Sequence, residues 1–147
     1  MAFEFRLQKL LEYRENQKKI AEEELARRQR EVLSVQQEIM RLQAEEERLL
    51  ENHRTQQGSE LNIMGLIAME NYRCFLQRCH QERMQRLQKA EKELERQRNV
   101  VMESWRSCRS LTLLREKAEH NYLEEEKVSD QRLNDELSIN CYMRQKE

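Results

Sequence analysis

The chain has 147 residues, of which 37% are charged and 5% are aromatic, with two glycines and no proline. So polar a composition excludes a thick globular core and is typical of coiled coils and long exposed helices, which nothing outside one short window interrupts. The formal net charge of −1 removes the main electrostatic reason for binding nucleic acid, and no apolar run is long enough to span a membrane.

The first predicted element is a helix from about residue 4 to about residue 54. Alternating steps of four and three residues from Leu7 reach fourteen positions, of which nine are apolar. Such steps average about 3.5 residues, which keeps one stripe facing a partner helix in a left-handed supercoil. The fourteen positions, called the α1 seam below, are Leu7, Leu11, Arg14, Lys18, Ala21, Leu25, Arg28, Val32, Val35, Ile39, Leu42, Glu46, Leu49 and His53.

A turn is predicted at about residues 55–65, which hold both glycines and several turn-prone polar residues. Gly58 suits the left-handed conformation that ends a helix. Ser59 and Asn62 are both candidates to cap the next helix.

A second helix is predicted over about residues 66–138, followed by a frayed tail to residue 147. Apolar side chains recur every seven residues at Leu87, Leu94, Val101 and Cys108. A second stretch nearer the turn runs through Met69, Tyr72, Leu76 and Cys79. The repeat is looser than in the first helix, which predicts a stripe that drifts around the surface. Trp105 lies near this stripe and is interpreted as a packing residue.

The predicted fold is all-α: a long antiparallel two-helix coiled-coil hairpin with a C-terminal helical overhang, formed by residues 1–147 as a single domain. One short turn between two helices with matching stripes favours antiparallel packing. Folding back near residue 60 places Phe3 and Phe5 close to residues 115–118. A parallel dimer through the first helix is the alternative topology.

No catalytic, cofactor or metal site is predicted, so the chain is not expected to be an enzyme. Two glycines cannot build a phosphate-binding loop. Cys74, Cys79 and His80 form the one ligand-like group, but residues five apart on a helix point about 140° away from each other. The four cysteines lack disulfide framework spacing and the first residues lack a signal peptide's apolar stretch, which predicts a cytoplasmic protein. The basic residues 27–30 follow the acidic residues 22–24, which predicts a salt-bridged face and no nucleic-acid site.

The first residues, Phe3-Glu-Phe-Arg-Leu-Gln-Lys-Leu-Leu-Glu-Tyr-Arg14, carry a family resemblance. They resemble the F-x-F-x-L-x-x-L-L-x-x-R start of the flagellar export protein FliJ family. Six positions match this pattern: Phe3, Phe5, Leu7, Leu10, Leu11 and Arg14.

The resemblance implies a non-enzymatic stalk and chaperone escort of the flagellar type III export apparatus, linked to motility and chemotaxis. The implied partners are the export ATPase hexamer, the membrane export gate protein and substrate-specific export chaperones, and no cofactor. The implied location is the cytoplasmic face of the inner membrane, as a peripheral protein. The implied ATPase-facing residues are Phe3, Phe5, Leu7 and Leu11, and the implied gate-facing residues in the tip half are Tyr72, Phe75 and Leu76.

Some family members place tyrosines on the first helix near the tip, where this chain has Glu45-Glu46-Glu47. Two other functions stay open at this point. One is the equivalent stalk of a virulence type III secretion system, which shares the architecture. The other is a generic coiled-coil scaffold that associates with itself.

Overall fold

The computed structural model describes residues 3–56 and 62–144. It contains two helices, α1 (Gln8–Gln56) and α2 (Ile63–Arg144), and the described residues form no strand. The helices pack against each other, so the predicted all-α hairpin is confirmed. The chain divides into two compact units. We call Ile20–Val101 the turn unit, and Met1–Lys19 with Met102–Glu147 the terminal unit.

The helix ends differ from the predicted ones. The helix α1 begins at Gln8, not near residue 4, and Gln8 N donates a hydrogen bond to Phe5 O at 3.0 Å. The helix α2 begins at Ile63, not near residue 66, because the Asn62 side chain accepts a hydrogen bond from Met64 N at 3.1 Å. This is the N-cap contact expected of asparagine. Gly58 and Ser59 lie outside the described residues.

The last part of α2 is helical through Arg144, beyond the predicted limit of 138. A helix that continues an existing helix has no nucleation penalty, which favours the helical state of residues 139–144. Residues 145–147 lie outside the described part of the chain. Every described side chain from residue 123 to residue 144 is exposed, which agrees with the predicted C-terminal overhang.

The core of the turn unit follows the α1 seam. All of its seam positions from Ala21 to His53 are buried or half-buried, with Val35 fully buried. Val32 packs with Ala90 and Leu94 of α2. Two partly buried leucines, Leu25 and Leu87, pack against this cluster. Burial of one apolar stripe per helix is therefore the main stabilising contribution.

On α2 the stripe of the turn unit is regular where the sequence predicted drift. Alternating steps of three and four residues from Leu66 reach only buried or half-buried side chains. Four of these side chains are polar, Arg73, His80, Arg83 and Gln97, so the repeat was not visible as an apolar pattern. The sequence predicted Tyr72 in the stripe, but Tyr72 is exposed and Arg73 lies there instead. We call these positions the α2 seam: Leu66, Met69, Arg73, Leu76, His80, Arg83, Leu87, Ala90, Leu94, Gln97 and Val101.

Three contacts join polar residues of the α2 seam to α1, and their order along the chain shows that the helices are antiparallel. Gln97 Nε2 donates to Ala21 O at 3.0 Å. Arg83 Nε lies 2.9 Å from Glu38 Oε2, and Arg73 Nε lies 3.9 Å from Glu46 Oε1. As the residue numbers on α2 fall, the numbers of their partners on α1 rise, as antiparallel packing requires.

The terminal unit is also antiparallel. Lys18 Nζ lies 4.5 Å from the centre of the Trp105 ring, a cation–π contact. The rings of Phe3 and Tyr122 lie 5.7 Å apart. Leu11 and Cys108 are buried, whereas Trp105 is 53% exposed. Trp105 therefore packs against Lys18 of α1, beside the stripe and without being buried.

Candidate functional site

The terminal unit carries the predicted ATPase-facing residues. Phe3 and Phe5 precede α1 and are half-buried, and the Phe3 ring contacts that of Tyr122 on α2. Leu7 is 38% exposed at the first turn. Leu11 is 1% exposed, so its side chain belongs to the core and supports the others from beneath.

Two open clefts flank this N-terminal segment. One, of about 500 Å³, is lined by Phe3, Phe5 and Leu7 on one side and by Leu114 and Ala118 on the other. The second, of about 880 Å³, is lined by the same phenylalanines and by polar residues: Glu4, Arg6, Gln8, Lys9, Glu12, Arg115 and Glu119. The end of the terminal unit thus presents apolar side chains within a rim of both charges, the composition of a protein-binding surface.

The turn unit carries the predicted gate-facing residues. Tyr72 and Phe75 are 41% and 55% exposed, and their rings stack with centres 6.3 Å apart. Tyr72 Oη donates to Glu45 Oε1 of α1 at 3.4 Å. Leu76 is 4% exposed and lies in the core. Of the three predicted gate-facing residues, the two aromatic ones are therefore available to a partner.

The electrostatics of this patch centre on Tyr72. Partial burial raises the pKa of Tyr72 above its usual 10.0, and the negative charge of Glu45 and the hydrogen bond to it raise the pKa further. The phenol is therefore neutral at physiological pH. Its hydrogen bond to Glu45 joins the aromatic pair to α1.

Three further apolar side chains near the start of α2 escaped the sequence reasoning. Ile63, Met64 and Ile67 are 72%, 75% and 53% exposed. Met64 lies on the same face of α2 as Phe75, because eleven residues make about three helical turns. The signal was the apolar spacing of residues 64, 67 and 68, of which residue 64 was predicted to lie within the turn. We call Met64, Ile67, Tyr72 and Phe75 the tip patch.

Within residues 3–56 and 62–144, no group of three or more histidine, cysteine, aspartate or glutamate side chains is placed to hold a metal ion. Across the same residues, no helix combines the length and the apolar character needed to cross a membrane. The chemistry available at both surfaces is apolar contact bordered by hydrogen bonds and ion pairs.

The model of the family described as "Flagellar FliJ protein" matches residues 3–147. The chain belongs to the FliJ family. The resemblance seen in the first residues is therefore confirmed over essentially the whole chain. Comparisons with curated proteins and with solved structures found no match. The FliJ family is known as a non-enzymatic one, and membership makes this chain a component of flagellar protein export.

Proposed function

We propose that this FliJ protein is a stalk and chaperone escort, which binds the export ATPase ring with its terminal unit and the membrane export gate with its turn unit. The observation that carries the proposal is the placement of Phe3 and Phe5. They lie outside α1, half-buried against α2, between two clefts. An apolar end of this kind suits insertion between the subunits of a ring, where side chains that are now partly exposed to water would become buried.

The mechanism is positional and involves no catalysis by the chain itself. Each unit contributes a contact surface made of packed helices, and the chain connects the two partners. We further propose that residues 1–147 act as one domain, located in the cytoplasm and at the cytoplasmic face of the cell membrane. Loss of the protein is expected to impair flagellum assembly and motility. The chaperone contact has no assigned surface.

The ATPase contact is tested with purified proteins from one organism. Wild-type chain is expected to promote hexamer formation and turnover of the export ATPase. The triple variant Phe3→Ser, Phe5→Ser and Leu7→Ser is expected to lose this effect. The matched control is Leu113→Ser, because Leu113 is 48% exposed and lines neither cleft. Helicity of each variant is checked by circular dichroism. A triple variant that is folded and stimulates fully would overturn the ring contact.

The gate contact is tested with the cytoplasmic domain of the gate protein immobilised on a sensor surface. Tyr72→Ala with Phe75→Ala is expected to weaken binding. Met84→Ala, which removes a 46% exposed side chain elsewhere on α2, is expected to leave it unchanged. Equal binding of both variants would show that the tip patch does not contact the gate.

The family match favours flagellar export over the virulence secretion stalk, since the matched family is the flagellar one. The neighbouring genes decide between the two systems. The self-associating scaffold predicts a stable parallel dimer at high dilution. Sedimentation of dilute protein is expected to show one chain per particle. A dimer that persists on dilution would favour the scaffold.

A further inference from the structure

The end of α2 is an exposed helix. Phe3 contacts Tyr122, so the N-terminal segment reaches that position, and every described side chain of residues 123–144 is exposed. Leu133 and Leu137 are 56% and 62% exposed. Two leucines four residues apart share one face of a helix, and such a face is normally covered.

The face that holds these leucines repeats the spacing of a coiled-coil seam. Steps of four and three residues from Glu126 reach five more positions, all exposed. We call these six residues the overhang face: Glu126, Asp130, Leu133, Leu137, Asn140 and Arg144. Steps of this kind place one stripe toward a partner helix. The overhang face therefore has the geometry of a helix–helix interface.

The order of residues on the overhang face is self-complementary. Its first residue is an acid and its last a base, its second a carboxylate and its fifth an amide, and its two central residues are leucines. In an antiparallel pair of identical helices, Glu126 meets Arg144, Asp130 meets Asn140 and Leu133 meets Leu137. No side chain of this face makes a hydrogen bond or ion pair within the described chain. Their polar atoms are therefore available to a partner.

We propose that the overhang face binds the overhang face of a second copy of this chain in an antiparallel, two-fold symmetric pair. Symmetric pairing of one surface with itself is the commonest way in which identical chains associate. A parallel pair would superimpose Glu126 on Glu126, Asp130 on Asp130 and Arg144 on Arg144, and like charges at neighbouring positions destabilise a helix pair. The arrangement of charges thus selects the antiparallel direction.

The extent of the described helix fits this pairing. When Arg144 of one copy lies against Glu126 of the other, the described helix ends before the level of Tyr122, where the N-terminal segment occupies α2. The paired span of about 27 Å, from the rise of 1.5 Å per residue, contains two leucines per copy. An interface this small falls below the size of stable complexes. The pair is therefore a weak dimer that dissociates on dilution, independent of the ring and gate contacts.

Sedimentation equilibrium of the full chain over a range of concentrations tests the dimer. The mass is expected to rise from 18.1 kDa toward twice that value. Leu133→Ser with Leu137→Ser is expected to keep the chain monomeric, and Leu113→Ser, outside the overhang face, to dimerise like wild type. A wild-type chain that stays monomeric at every concentration overturns the proposal. So does a serine double variant that remains helical by circular dichroism and dimerises normally, since another surface is then the interface.

Charge reversal tests the direction. Glu126→Arg alone and Arg144→Glu alone are each expected to weaken dimerisation by about tenfold, equivalent to about 1.4 kcal/mol, because each puts like charges together at both ends. The double variant Glu126→Arg with Arg144→Glu restores opposite charges only in the antiparallel pair and is expected to dimerise like wild type. A double variant that remains weak overturns the antiparallel register.

Discussion

At the residue scale, the depth of one side chain decides its contribution to this molecule, because each helix buries a single narrow stripe. Leu94 is 9% exposed and packs with Val32 and Ala90, whereas Leu33, next to Val32 in the chain, is 57% exposed. The two residues have the same side chain and both lie in a helix. Only the contact across the helices distinguishes them.

Leu94→Ala is expected to lower the free energy of unfolding by about 2–3 kcal/mol, the low end of the range for leucine in a core. The value is low because a two-helix core is thin and its neighbours can close part of the cavity. Leu33→Ala is the control and is expected to change stability by less than about 0.5 kcal/mol. Urea unfolding followed by circular dichroism measures both, and equal losses would contradict the assigned core.

Tyr72 is expected to titrate above the usual tyrosine pKa of 10.0, because partial burial and the charge of Glu45 both disfavour the phenolate. A pKa raised in the folded state contributes stability that is complete below pH 10 and is lost as the pH rises through the folded-state pKa. The difference between the tyrosinate absorbance titrations of wild type and Tyr72→Phe isolates this group. Glu45→Gln is expected to lower its pKa, and a Tyr72 that titrates at or below 10 would contradict the contact.

At the element scale, the start of α2 and its exposed C-terminal overhang show the effect of local helix preference apart from packing. The helix α2 starts where Asn62 caps it, which leaves Gly65 inside the first turn. A methyl group added at Gly65 would meet Asn62 Cβ at 3.8 Å, an ordinary contact. The glycine therefore weakens the helix without filling a steric need.

Gly65→Ala is expected to raise the free energy of unfolding by about 0.5–1 kcal/mol, since alanine loses less backbone entropy in a helix. The reverse change at a nearby exposed helical site, Ala68→Gly, is expected to lower it by a similar amount. Thermal unfolding of the two variants beside wild type checks the pair. A destabilising Gly65→Ala would indicate that the first turn of α2 is not helical.

Proline substitutions distinguish the paired from the unpaired part of α2. Ser107 is half-buried in the paired part, and Ser129 is exposed in the overhang. Ser107→Pro is expected to lower stability by about 3 kcal/mol or more, because proline removes a hydrogen bond and clashes with the preceding turn. Ser129→Pro is expected to reduce helicity while leaving the unfolding midpoint nearly unchanged. Similar midpoints for both variants would contradict the overhang.

At the scale of the whole molecule, both helices belong to both units, since α1 and α2 continue through the unit boundaries. Breaking a helix at a boundary would create two new helix ends with unpaired backbone groups. We therefore expect one cooperative thermal transition, in agreement with the proposed single domain. Calorimetry checks this by comparing the calorimetric and van't Hoff enthalpies, and two separate transitions would show two domains.

Much of the fold was predictable from the sequence, and the two seams show the limit. The α1 seam is mostly apolar, so its period was visible, and the structure buries or half-buries it from Lys18 to His53. The α2 seam has the same period but places Arg73, Arg83 and Gln97 in it. Each of these three polar residues has a partner on α1, and those partners are far away in the sequence.

The candidate site was predictable in its location but not in its exposure. The sequence placed Leu11 and Leu76 on partner-binding surfaces, and both are buried. It assigned Met64 to a turn, where the structure has an exposed helical side chain. The predicted residues remain a hypothesis as partner contacts. Burial depends on which face the other helix covers, and a local motif does not contain that information.

The sequence by itself determined that the chain forms two long helices, where it turns back and to which family it belongs, because helix propensity, spacing and the first residues are local properties. Tertiary structure alone decided which polar residues lie in the seam, which leucines remain exposed and that Phe3 ends against Tyr122. That last contact leaves the overhang face open. These features depend on the register between distant parts of the chain, which follows from the summed packing of both helices.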